Sequence, residues 1–302
     1  MEQCLTVGVG VCPQSAVQSA AIRNATGTEE KHVESLRKSN DAGGGASRYW
    51  LALLLWPSLA LATPSTTFWA PSTPYIQPYG VPHITYDTYF TGSAAFPIDT
   101  GLTIGFLPFE KFQGEVGFDF LYPTPDLPDA NGKLRSIGFP ILFNAKVGSP
   151  ENAFGDWSPG WSAGIYNVGV KKDVTNYNVF HFMTGKTFPY IGEPEIGFYH
   201  ALNDTLVPND RTGLMAGWFS PNWDIKKPYL DKIVFAADVQ TGKNALGAWG
   251  GGAYLFFTPQ ISLLTGPVFF LDRNSQAPPA LVGDRKPDMV WTMQLDIDLN
   301  LF

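Results

Sequence analysis

From residue 63 onward the chain alternates apolar and polar residues with a period of two, in segments of about ten, and almost nowhere sets apolar residues at helical spacing. In an extended strand that period sends one set of side chains to each face. The clearest run is C-terminal, where Trp291, Met293, Leu295, Ile297, Leu299 and Leu301 alternate with Thr292, Gln294, Asp296, Asp298 and Asn300. A second places Val116, Phe118 and Phe120 opposite Gln113, Glu115, Gly117 and Asp119. A third places Phe139, Ile141, Phe143, Ala145 and Val147 opposite Asn144 and Lys146. With Pro, Gly, Asn and Asp as punctuation, the same pattern predicts strands near 82–91, 99–108, 112–122, 138–147, 160–170, 176–187, 194–203, 212–219, 231–241, 246–257, 259–271 and 289–302. The expected fold is all-β, a single antiparallel transmembrane β-barrel of about 12 strands (10–14) spanning residues 63–302.

The connections carry a second regularity. Pro108–Lys111 and Thr258–Gln260 are tight and follow even-numbered strands, whereas the long stretches 123–137, 203–211 and 272–288 follow odd-numbered ones. An outer-membrane barrel with both termini in the periplasm has short turns at one end and longer loops at the other. Segments 148–159 and 220–230 depart from this, being long after even-numbered strands.

A soluble β-sandwich also alternates, so the rest of the chain has to decide between them. Tyr49–Ala62 is a short apolar run preceded by Arg48 and ending Ala60-Leu61-Ala62, the small-x-small pattern of a signal peptidase site. Interrupted by Pro57, it is too short for a hydrocarbon core about 30 Å thick. Residues 48–62 are therefore expected to be a cleaved signal peptide, with the mature chain starting at Thr63. The polar stretch 1–47 is expected not to belong to the mature protein, with translation starting nearer Arg37 and Lys38. Both cysteines, Cys4 and Cys12, fall in that stretch, which leaves 63–302 without disulfides or Cys-ligated metal.

The formal charge is −7, with 20 basic and 27 acidic residues; five of each precede Thr63, so the exported part keeps the same excess. That excess disfavours nucleic acid as a partner. Charged residues are only 16% of the chain and aromatic ones 14%, which excludes disorder and coiled coil. Aromatics gather at strand ends, as in Tyr86, Tyr89 and Phe90, Phe106 and Phe109, Trp157 and Trp161, Trp218 and Phe219, Phe256 and Phe257, and Phe269 and Phe270. Such clusters suit the aromatic girdles of a membrane barrel.

The signal, the alternating strands, the cysteine-free mature chain and the terminal Phe302 together resemble Gram-negative outer-membrane β-barrel proteins. The stretches WAPSTPYIQPYGVPHITYDTYF, GLTIGFLPFEKFQGEVGFDFLYP and ISLLTGPVFF resemble more closely an uncharacterised, porin-like proteobacterial family. The resemblance covers nearly all of 66–302 and implies the cell outer membrane, with lipid and the barrel insertion machinery as partners. It brings no catalytic residue. One departure concerns the C-terminus: such proteins end on apolar residues at the last, third-last and fifth-last positions, but here these are Phe302, Asn300 and Asp298.

Candidate chemistry is sparse. His83, His181 and His200 form no paired ligand spacing, so no metal, cofactor or catalytic residue is expected, and the protein is not expected to be an enzyme. The glycine run Gly247–Ala253 lacks the Lys-Ser/Thr of a phosphate loop and suits a bend or bulge. Asp296 and Asp298 share one face about 7 Å apart. The alternation sets Glu115, Asp119, Asn144, Lys146, Lys232, Asp238, Gln240, Gln294, Asp296 and Asp298 towards a lumen, with Thr292 and Asn300. Bulky Tyr166, Tyr199 and Trp249 are candidates to plug it. An acidic lining favours small polar or cationic solutes over anions, so the first functional expectation is a passive porin-like channel. Two alternatives stay open: a closed structural or interaction barrel using loops 123–137 and 272–288, and a soluble periplasmic β-sandwich that binds a ligand.

Overall fold

The computed structural model describes residues 67–90, 98–122, 126–128, 134–136, 141–172, 175–204, 210–272 and 288–299. The extension, the signal segment, both cysteines, Asn300 and Phe302 lie outside them. The strands, in chain order, are Pro82–Phe90 (β1), Ile98–Gly105 (β2), Gln113–Tyr122 (β3), Asp126–Pro128 (β4), Leu134–Ser136 (β5), Ile141–Ser149 (β6), Gly160–Gly169 (β7), Asn176–Gly185 (β8), Glu193–Ala201 (β9), Thr212–Phe219 (β10), Trp223–Lys227 (β11), Leu230–Gln240 (β12), Ala248–Thr258 (β13), Ile261–Phe270 (β14) and Met289–Asp298 (β15).

Twelve of these form one closed antiparallel barrel of up-and-down connectivity. The sheet runs β10-β9-β8-β7-β6-β3-β2-β1-β15-β14-β13-β12, and β10 pairs with β12 to close it. At the seam between first and last strands, Tyr86 stands opposite Leu295 and Asp87 opposite Gln294. Closure removes the free edges that an open sheet must protect. It also excludes the two-sheet sandwich. Two short hairpins were missed by the period-two pattern because each strand is too short to show it: β4–β5 within 123–137, and β11, paired to the start of β12 within 220–230.

Burial alternates along the strands as the side chains do. Along β12 the inward set is Lys232, Val234, Ala236, Asp238 and Gln240; along β15 it is Val290, Thr292, Gln294, Asp296 and Asp298. The outward set is apolar nearly throughout: Ile196 and Phe198 on β9, Leu214 on β10, Phe235 on β12 and Met293 on β15 are all exposed. Among the described positions of the twelve barrel strands on this outer face, Asp231, at the start of β12, is the single Asp, Glu, Lys or Arg. In water such a surface would waste most of the available apolar burial.

The interior is not empty. Thr67–Val81, an irregular segment containing Pro71, Pro74 and Pro78 with backbone turns at Thr67–Ser72 and Pro78–Val81, runs inside the barrel with Phe68, Ser72 and Thr73 fully buried. Phe68 packs with Tyr254, Leu264, Val268 and Val290, while Ala70 packs with Met183, Tyr199 and Met215. These two apolar clusters draw their wall residues from β6, β8, β9, β10 and β12 to β15.

Candidate functional site: the inner wall and its strap

Nine carboxylates occupy inward positions: Asp87, Asp99, Glu115, Asp119, Glu193, Glu195, Asp238, Asp296 and Asp298. The inward cationic side chains of the strands are Lys146 and Lys232, with His83 and His181 beside them. The interior divides this set into three groups.

The first group holds the interior segment, the strap. Asp238 accepts from the Thr67 hydroxyl, from the Trp69 amide at 3.2 Å and from the Ser72 hydroxyl at 3.4 Å. Glu195 accepts from Thr73 at 3.1 Å, and Glu193 from the Tyr75 phenol. Burial first, and Glu193 second, hold the Tyr75 phenol well above its ordinary range, so it stays a donor. Glu115 accepts from the Gln77 amide at 2.5 Å, and Asp298 from the Gln77 side chain at 2.8 Å. Gln294 adds a bond from its amide to the Phe68 carbonyl at 3.0 Å. A strap whose prolines keep it out of the sheet needs such partners, because its buried polar groups have no ladder to satisfy them.

The second group is internally paired. Lys146 lies 3.5 Å from Glu115, and both side chains are buried. His83 lies with Nδ1 at 2.8 Å from Asp298 and Nε2 at 3.5 Å from Asp296. Gln240 bonds to the Tyr166 hydroxyl, its amide donating at 2.9 Å.

The third group is short of partners. Asp87 on β1 and Asp99 on β2 are direct cross-strand neighbours, and Asp119 on β3 stands opposite Gly101, two residues along from Asp99. One oxygen of Asp87 and one of Asp99 are buried without a hydrogen bond, while Asp119 accepts from Asn144 at 2.8 Å. Directly opposed like charges destabilise a sheet pair, so this arrangement costs folding energy. The wall around them carries small inward residues, Thr85, Gly101, Thr103 and Gly117, and there Thr85, Asp99, Asp119 and Asn144 keep partial exposure. A Cβ on Gly101 would meet the Asp119 carboxylate at 2.5 Å.

The ten residues singled out from the sequence therefore lie in different local settings. Glu115, Asp238, Gln294 and Asp298 hold the strap; Lys146 and Asp296 sit in ion pairs; Asp119 and Asn144 pair with each other. Gln240 joins Tyr166, and the Lys232 ammonium lies 4.3 Å over the Phe256 ring at the turn end. Trp249 is corrected: it faces outward from β13, 46% exposed and stacked on Phe269, because the inward phase of that strand falls on Ala248 and Gly250. Asp87, Asp99, Glu193 and Glu195 were missed. Their signal was present in the alternation of Asp87 with Tyr86 and Thr88, and of Glu195 with Pro194 and Ile196. His181 is also inward, buried beside the Tyr166 ring, with both ring nitrogens unbonded. Among the described residues no group of three or more His, Cys, Asp or Glu has the geometry to hold a metal ion.

No protein-family model matches the chain, and no curated protein matches its sequence. Solved structures do match in outline. One is from work on the mechanism of in-meso crystallization of membrane proteins, with a TM-score of 0.43 and 11% identity over 74% of this chain and 85% of that one. Another is Salmonella typhi OmpF in complex with daunomycin, with a TM-score of 0.33 and 8% identity over 72% and 96%. Likenesses this distant do not bear on what this chain does.

Proposed function

We propose that the protein is an integral outer-membrane β-barrel giving small polar or cationic solutes a narrow passive route along the wall of β1, β2, β3 and β6, beside the strap. The outer face supports the membrane setting: a charged residue at the bilayer midplane costs a barrel about 2–4 kcal/mol, and this face carries almost none. The observation that carries the route is the set Asp87, Asp99 and Asp119, gathered without a salt-bridge partner among the described residues on a wall of small residues, with Asp99 and Asp119 partly exposed there. A field of one sign draws its counter-charge and repels its own.

In planar bilayers under a potassium chloride gradient, the reversal potential is expected to show cation preference. The triple variant Asp87→Asn, Asp99→Asn, Asp119→Asn is expected to lower that preference several-fold without closing the route. Absence of conductance steps, or anion preference in the parent protein, would overturn the reading. The second reading, a closed structural or interaction barrel, is favoured by the packed strap and by the β4–β5 hairpin in the loop 123–137. It expects no conductance, and loss of partner capture when that loop is deleted.

A further inference from the structure

We propose that the inner wall is a binding site for a proline-containing peptide segment, and that Thr67–Val81 is its displaceable occupant. Four observations carry this. The strap is held chiefly by side-chain bonds to carboxylates on β3, β9, β12 and β15; its pairing with the sheet is confined to the bridge of Tyr79 to Gly105, with Gly80 donating to the Gly105 carbonyl at 2.9 Å. The wall is notched to receive it: a Cβ on Gly250 would fall 2.5 Å from the Phe68 Cβ, one on Gly217 would fall 2.6 Å from the Ser72 carbonyl, and one on Gly266 would meet the Phe68 ring. The barrel closes through β1–β15 and β10–β12 without any part of the strap. With cleavage after Ala62, four residues precede Thr67, so the strap is a chain end that withdraws without unthreading.

The pattern of recognition is specific. Phe68 fills the glycine notch, and the hydroxyls of Thr67, Ser72, Thr73 and Tyr75, with Gln77, each meet a fixed carboxylate. Prolines fix their own backbone angle and so lower the entropy lost on docking. On the passage reading, on which this consequence alone rests, release of the strap widens the route.

The cysteine-free mature chain allows a direct test in the folded, membrane-inserted protein. Ser72→Cys, whose parent side chain is fully buried, is introduced alone and treated with a charged methanethiosulfonate reagent, with the denatured variant as the fully reactive reference. Modification in the folded protein is expected, with a rate about tenfold higher when Thr67→Ala removes one charge-assisted anchor from the strap side. Ser72→Cys left unmodified in the folded protein in both backgrounds would overturn the proposal.

A second measurement uses Thr73→Cys with Ser162→Cys, since the Ser162 hydroxyl lies 3.5 Å from the Thr73 carbonyl, bridged by a reducible bifunctional thiol reagent. Bridging is expected to abolish labelling at a third cysteine replacing Ser72, and reduction to restore it; labelling unaffected by the bridge would count against displacement. Conductance recorded on the same samples separates the two proposals. Labelling controlled by the bridge with no current in either state would sustain the strap and defeat the passage.

Discussion

Replacing Lys146 with methionine is expected to cost the folded barrel about 3–5 kcal/mol, the range for removing one partner of a buried ion pair. Lys146 on β6 stands directly opposite Glu115 on β3, 3.5 Å away, and both side chains are about 5% exposed or less. Without the ammonium, Glu115 is left in a dry site without its cationic partner while still holding the Gln77 amide. The double variant Lys146→Met, Glu115→Gln removes both charges and leaves a hydrogen-bonding group, so much of the loss is expected to return. Urea midpoints of the refolded protein, followed by tryptophan fluorescence, check both. A single variant as stable as the parent would contradict the pairing.

Phe68→Ala is expected to have a comparable energetic effect but a different outcome. Emptying the site of a fully buried phenylalanine costs about 3–5 kcal/mol. Phe68 belongs to the strap and fills the notch between Gly250 and Gly266, so the loss falls on docking of the strap rather than on the ladders of the wall. Local opening then comes before global unfolding. Amide exchange within 67–81 is expected to speed up by about two to three and a half orders of magnitude, with little change in β13 and β14. Equal acceleration in strap and wall would show that Phe68 supports the barrel as a whole.

These effects separate what the sequence made legible from what it did not. Twelve barrel strands follow from period-two alternation because an inward and an outward face differ so sharply in polarity; β15, with Trp291, Met293 and Leu295 outside and Thr292, Gln294 and Asp296 inside, shows it residue by residue. The strap left no such mark. A run with Pro71, Pro74 and Pro78 has no period, and its buried polar groups are satisfied by residues more than a hundred positions away, such as Asp238 for Thr67 and Asp298 for Gln77. For the same reason the roles of inward acids were opaque: alternation puts Asp238 and Asp119 on one face, but only the fold shows that one anchors the strap and the other pairs with Asn144 on the wall of small residues. Trp249 misled because a bulky residue beside glycines looks like a plug, whereas the inward step there falls on Gly250, which Phe68 needs empty.

Cell fractionation followed by electrophoresis with and without boiling tests whether this barrel is inserted in the outer membrane. The protein is expected in the outer-membrane fraction, extracted by detergent but not by salt or carbonate, with a folded band that shifts on heating. Recovery as a soluble periplasmic protein with no shift would contradict it.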